Sequence, residues 1–239
     1  MDAHECAQRT KDAVGEVPAR FMMDGGTYEH GATLGFEGID FYFLGRGGAL
    51  GDVDGPVVAA AFVFFNPATV EESWERGRKA CAPGDAALAF AAAGHRWAES
   101  KLPDGVDYAR LAELLGRVTD ASSVAGAPLF AGWMGLPEPA SAPALALHRL
   151  NALRELRGAR HGAAVLAHGL TPTEALFVKT PFMSALFGWG EPTEPTPAHQ
   201  AAWARAEEAT DASMAPSFGV LSDTERAELV ELLAPVLGR

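Results

Sequence analysis

Between Arg149 and His161 the sequence brings together four guanidinium groups, Arg149, Arg154, Arg157 and Arg160, around Glu155, and ends on an imidazole. Guanidinium stays charged at any physiological pH and grips carboxylate or phosphate through two parallel donors, so such a cluster can hold an anion. His161 titrates near neutrality and is the candidate general base if the chain is an enzyme. The plainer reading is that these arginines form i, i+3 and i, i+4 pairs along one helix, or neutralise acid elsewhere in the fold. His168 follows His161 at a spacing that one helical face could bring together. No Asp, Glu or Cys stands at a supporting distance, and a metal needs three or four ligands, so no metal site is expected.

Aromatic residues give the second chemical hint. Phe41, Tyr42 and Phe43 precede a segment holding Phe62, Phe64 and Phe65; Phe130 and Trp133 follow later, then Phe187 and Trp189. Such residues build core in most proteins, and the alternative is an apolar ligand pocket between two halves of the chain. The candidate ligand-binding set is therefore Arg154, Arg157, His161, Phe65, Asn66 and Trp133. Other chemistries find no support. There is no nucleophile elbow, no zinc-protease motif, no phosphate-binding loop and no calcium loop. Gly45-Arg46-Gly47-Gly48 lacks the following Gly-Lys-Ser/Thr and reads as a flexible turn between helices. No pattern identifies a cofactor, which stays unknown.

The elements that must position these groups are helices. Asn66-Pro67 and Thr171-Pro172-Thr173-Glu174 are N-cap-plus-proline starts, the second with the carboxylate of a capping box, and Ser222-Asp223-Thr224-Glu225 is a third start. A helix of roughly 67–79 is expected after the first. Tyr108, Leu111, Leu115 and Val118 mark an amphipathic helix, and Leu147, Leu150 and Leu153 mark another. Ile39 to Leu44 is the best strand candidate, although Phe41, Tyr42 and Phe43 fit a buried helical turn equally well. Val57 to Phe65 with Asn66-Pro67, and Gly162 to Leu170 with Thr171-Pro172, each read as helix, tight turn, helix. The expected fold is mainly α, a tandem, pseudo-duplicated pair of helix-turn-helix units with little or no β. Residues 1–104 form the first and 105–239 the second, with the terminal helices in the latter. The proline-rich stretch 191–197 is a loop before those last helices.

Gly48-Ala49-Leu50-Gly51, Pro56 to Phe62 and Phe65-Asn66-Pro67 resemble the first half of the actinobacterial SalK/EvbL-like proteins. Pro128 to Ala131, Leu153-Arg154-Glu155-Leu156-Arg157-Gly158, His161, Gly169 to Pro172 with Glu174-Ala175, and Glu208 to Asp211 resemble their second half. The resemblance implies a helix-turn-helix fold related to winged-helix (MarR-like) proteins and says little about activity. One departure matters. The segment after Val178, with Pro181, Glu191, Pro192, Glu194, Pro195 and Pro197, is too short, acidic and proline-rich for an ordinary wing, which puts DNA binding by this half in doubt.

Composition bounds what remains. The 239 residues carry 19 Lys+Arg and 31 Asp+Glu, a formal net charge of −12, with 48% apolar and 21% charged residues. That is a globular composition, and its acidity speaks against nucleic acid as a partner without excluding it. Cys6 and Cys81 make no disulfide framework or zinc ribbon and fit a reducing cytoplasm. No signal peptide or membrane span is expected. Small-molecule binding on a winged-helix-derived scaffold, with a place in specialised metabolism, is the leading expectation. An enzyme acting on a small anionic or aromatic substrate between the two halves is the first alternative, and a dimeric transcriptional regulator the second. A homodimer through the apolar faces of the two terminal helices is also expected.

Overall fold

The computed structural model describes residues 1–238, and their regular structure is helical throughout, with no strand among them. The helices in chain order are α1 (Ala3–Met22), α2 (Gly25–Thr33), α3 (Asp40–Gly47), α4 (Gly55–Phe62), α5 (Pro67–Gly77) and α6 (Pro83–Lys101). They continue with α7 (Tyr108–Asp120), α8 (Pro128–Met134), α9 (Ala142–Ala167), α10 (Pro172–Lys179), α11 (Pro197–Phe218) and α12 (Asp223–Leu237). No helix among the described residues is long and apolar enough to cross a membrane. Both cysteines are free thiols, and burial pushes Cys6 up to about 11.

The starts read from the sequence form as their caps dictate. Asn66 accepts from the Ala68 amide at 3.0 Å, and Thr171 and Ser222 each close a reciprocal capping box with Glu174 and Glu225. These contacts satisfy amides that the first helical turn leaves without a partner. Ile39 to Leu44 does not form a strand. It enters α3, where Phe41, Phe43 and Leu44 are fully buried and α6 and α5 cover the helix. Gly45 to Gly48 is likewise no flexible turn. It is the buried end of α3 and the following 3-10 turn, and a Cβ at Gly48 would stand 2.0 Å from the Pro83 carbonyl oxygen. These glycines let α3 approach α6 closely.

Helix α9 is the axis of the molecule, packed by α1, α6, α7, α8 and α11. The main hydrophobic core runs from Cys6 to Val236, so helices on both sides of residue 104 share it. A small second cluster, with Val165, Leu170, Ala175 and Ala206, seats α10 between the end of α9 and α11. The two expected turns are present, α4 to α5 and α9 to α10. In the second, the first helix is not a short unit but the last turns of a 26-residue helix. After α10 the chain makes a 3-10 turn at Pro181–Met183 and then a loop, with no hairpin wing among the described residues. The apolar faces of α11 and α12, the ground for expecting a homodimer, are used within the chain on α1, α7 and α9.

Candidate functional site

The turn between α4 and α5 is strained. Val63 has φ 52° and ψ −63°, and the Phe64 amide donates to the Phe62 carbonyl at 2.6 Å, which is a γ-turn of the rare positive-φ kind. For a β-branched residue this conformation is a genuine outlier. Val63 is held there against Gly162 of α9, where a Cβ would meet its Cγ1 at 2.8 Å. Bending the chain so sharply presents Phe62, Phe64 and Phe65 to one cavity. Strain of this kind persists only where the surrounding structure over-determines the backbone, and it clusters at functional sites.

That cavity has a volume of about 240 Å³ and lies between α1, α3, the strained turn and α9. Its aromatic wall is Tyr42, Phe62, Phe64, Phe65 and Phe187, with Phe187 stacked on Phe65 at 4.1 Å between centroids. Its charged side comprises Arg46, Arg154 and Arg157, with His161 one turn beyond Arg157. A second cavity of about 160 Å³, lined by Leu176, Lys179 and Trp203 among others, shares Phe64, His161 and Phe187 with the first. Each is smaller than a usual small-molecule site of roughly 300–1,000 Å³, and joined they reach that range.

Donor accounting separates the three arginines. Arg46 is only 7% exposed; its Nε and Nη2 pair bidentately with Glu155 at 2.9 and 2.7 Å, and its Nη1 donates to the Tyr42 hydroxyl at 3.1 Å. Its guanidinium also lies 4.2 Å over the Phe62 ring, so all three nitrogens are engaged and one face is covered. Arg46 therefore builds the floor. Among the described residues Arg154 uses only Nη1, to Glu155 at 2.9 Å, and Arg157 uses only Nη2, to Glu207 at 2.9 Å and Asp211 at 3.4 Å. Each keeps donors for a further anion. Burial pushes the Glu155 carboxyl up, but Arg46 and then Arg154 more than reverse this, and it stays ionised below the usual range.

His161 is buried, and burial pushes its imidazole down to about 4 against a weaker upward pull from Glu207. Its Nδ1 lies 3.0 Å from Thr210 Oγ1 and 3.5 Å from Glu207 Oε1. The ring is sandwiched by Phe64, at 5.5 Å between centroids, and Trp203, at 4.9 Å and nearly perpendicular.

Of the six expected ligand-binding residues, Arg154, Arg157, His161 and Phe65 line the first cavity together. Asn66 stands beside it but has other work. Besides capping α5, its amide and Nδ2 donate to the Phe187 and Gly188 carbonyls at 2.8 and 3.0 Å. Trp189 Nε1 adds a bond to the Phe64 carbonyl at 2.8 Å, so the segment after α10 is latched over the cavity. Gly188 permits this with φ 77° and with Thr69 Oγ1 2.0 Å from where a Cβ would sit. Trp133 does not reach the cavity; it lies in the core, 6.1 Å from the His148 ring. His168 forms the C-cap of α9 and does not line the cavity. Of the remaining cluster arginines, Arg149 pairs bidentately with Glu138, and Arg160 donates to the Ser213 carbonyl. The basic island is thus largely matched by carboxylates, and only Arg154 and Arg157 combine free donors with the cavity.

Sequence reasoning missed Arg46, Gly15, Glu207 and Thr210. Arg46 was hidden in a glycine run, and Thr210 sat in the quoted Glu208–Asp211 stretch with no role attached. Gly15 of α1 and Gly158 of α9 both line the cavity, and a Cβ at either would meet nothing within 4 Å. A glycine inside a helix destabilises it by about 1 kcal/mol relative to alanine. Neither position has a packing reason for glycine, and both keep the cavity open.

A family model described as a helix-turn-helix family matches residues 7–191 of the chain. No curated protein and no solved structure matches it.

Proposed function

The chain belongs to the helix-turn-helix family, and from that premise we propose that it is a small-molecule-binding protein whose site is the aromatic cavity bearing Arg154 and Arg157. The observation that carries this reading is the pair of guanidinium groups with unused donors, set in an aromatic pocket inside a chain of net charge −12. An acidic protein has no shortage of carboxylates to saturate its arginines, so donors left open toward a cavity suit a ligand anion. The strained turn at Val63, the latched segment over Phe65 and the two unpacked helical glycines support the same site. A role in specialised metabolism, and the likeness to the SalK/EvbL-like proteins, are part of this proposal.

Family membership also favours a second reading, a DNA-binding regulator. The charge of the two second helices speaks against it. Helix α5 carries Glu71, Glu72 and Glu75, while Arg76 and Arg78 pair with Asp40 and Asp52. Helix α10 is short, half-buried and has Lys179 as its only cation. The enzyme reading asks His161 to take up protons, and a base that titrates at about 4 is poorly matched to neutral pH.

A thermal-shift screen of small monoanions on the full chain tests the proposal. Stabilisation of the wild type that disappears in the Arg154→Met/Arg157→Met double variant is expected. A screen with no stabilising anion, accompanied by a salt-sensitive mobility shift on DNA, would move the assignment to the regulator.

A further inference from the structure

The hydrogen bonds around His161 fix which of its nitrogens carries the proton. Thr210 Oγ1 donates to the Ala206 carbonyl at 2.6 Å, so its single proton is used and it can only accept from His161 Nδ1, 3.0 Å away. The carboxylate oxygen of Glu207, 3.5 Å from the same nitrogen, is also an acceptor. The neutral ring therefore holds its hydrogen on Nδ1 and keeps a bare lone pair on Nε2. Among the described residues nothing donates to Nε2, although the ring lies in the wall common to both cavities.

Charge and spacing complete the picture. Around the first cavity Lys11, Arg46, Arg154 and Arg157 face Glu155, Glu207 and Asp211, four cations against three carboxylates. One negative charge balances the site, which suits a carboxylate better than a dianionic phosphate. Arg157 and His161 are one helical turn apart on α9, about 6 Å along its axis. Beyond His161, past Phe64 and Phe187, the second cavity is walled by Ala175, Leu176, Lys179, Thr180 and Trp203, and its exposed lining is almost wholly apolar.

We propose that the ligand is an amphipathic monocarboxylate bearing a hydroxyl group a few bonds from its carboxylate. This deepens the binding reading above and rests on it. The carboxylate takes the open donors of Arg154 and Arg157, the hydroxyl donates to His161 Nε2, and the apolar remainder enters the second cavity. Burial holds the ring neutral at physiological pH, so Nε2 stays an acceptor and His161 selects for a donor. Thr210 acts as a positioning residue by fixing the tautomer.

Isothermal titration of the full chain with two matched pairs tests this: octanoate against 3-hydroxyoctanoate, and 3-phenylpropanoate against 3-hydroxy-3-phenylpropanoate. Each hydroxy acid is expected to bind roughly tenfold tighter than its partner, the effect of one well-placed buried hydrogen bond. The preference should vanish in His161→Leu, persist in His161→Gln, whose amide oxygen can replace Nε2, and weaken in Thr210→Val. Circular dichroism of each variant checks its fold, and the Gln and Val variants keep the test decisive if the Leu variant does not fold. Equal affinities within both pairs, or an unchanged preference in a folded His161→Leu, overturn the hydroxyl assignment and leave the anion pocket standing. Failure of all four acids to bind the wild type overturns both.

Discussion

Replacing Gly158 separates stability from binding more sharply than any other single change. The residue is in the interior of α9, faces the first cavity, and has nothing within 4 Å of the position a Cβ would take. Alanine there removes the entropic penalty of a helical glycine without a clash, so Gly158→Ala should stabilise the fold by about 1 kcal/mol. For a chain of this length that is a rise in melting temperature of roughly 2–4 °C. Leucine has nearly the same helix propensity, but its side chain projects into a space of only about 240 Å³. Gly158→Leu should therefore remain folded and lose most of its affinity for a carboxylate probe such as 3-phenylpropanoate. Calorimetric melting gives the first quantity and isothermal titration the second. A destabilised Gly158→Ala would mean that the cavity face of α9 is packed in solution. A Gly158→Leu variant that bound the probe as tightly as wild type would place the ligand somewhere else.

Further outcomes follow from the same geometry. Glu155→Leu leaves the buried Arg46 without its bidentate partner and should cost about 3–5 kcal/mol, read as a fall in the urea midpoint at unchanged slope. His148, hydrogen-bonded to His95 at 3.2 Å, is pushed down to about 4 first by burial and then by the His95 charge. A histidine whose folded value lies below its unfolded one binds more protons unfolded, so its contribution is complete above about pH 6.5 and is lost as pH falls toward 4. Between pH 7.5 and 4.5 His148 alone should remove about 2 kcal/mol, and a His148→Gln variant with an undiminished pH slope would contradict this. Asn66→Ala removes a helix cap and the Nδ2 bond to the Gly188 carbonyl while leaving the backbone bond to Phe187, and should cost about 1–2 kcal/mol while speeding amide exchange across 184–190.

The helices were legible because their signals are local. A cap followed by proline, or a capping box, is a short-range bond between neighbours, and the starts at Asn66, Thr171 and Ser222 formed as their residues require. The apolar triplet Phe41 to Phe43 carries no such local marker, and its helical state is decided by burial against α6 and α5. Gly45 to Gly48 shows the limit from the other side. Glycine is used there for close approach to Phe90 and Pro83, a tertiary demand that looks like flexibility in the sequence alone. Arg154, Arg157 and His161, which line one cavity, could be grouped from the sequence because they share one face of one helix. Arg46, Glu207 and Thr210 come from α3 and α11, and the role of each depends on a partner about 50 or more residues away. Trp133 and Asn66 illustrate the converse: type and neighbourhood suggested a ligand, and packing and capping use them instead.

The central claim is that one cavity, bounded by Arg154, Arg157 and His161, receives a small carboxylate. A crystal structure of the full chain grown with 3-hydroxyoctanoate addresses it most directly. The account predicts the carboxylate against Arg154 and Arg157, the hydroxyl within hydrogen-bond distance of His161 Nε2, and the alkyl chain beside Trp203. Density for the acid at another surface, with this cavity holding only water, would contradict it.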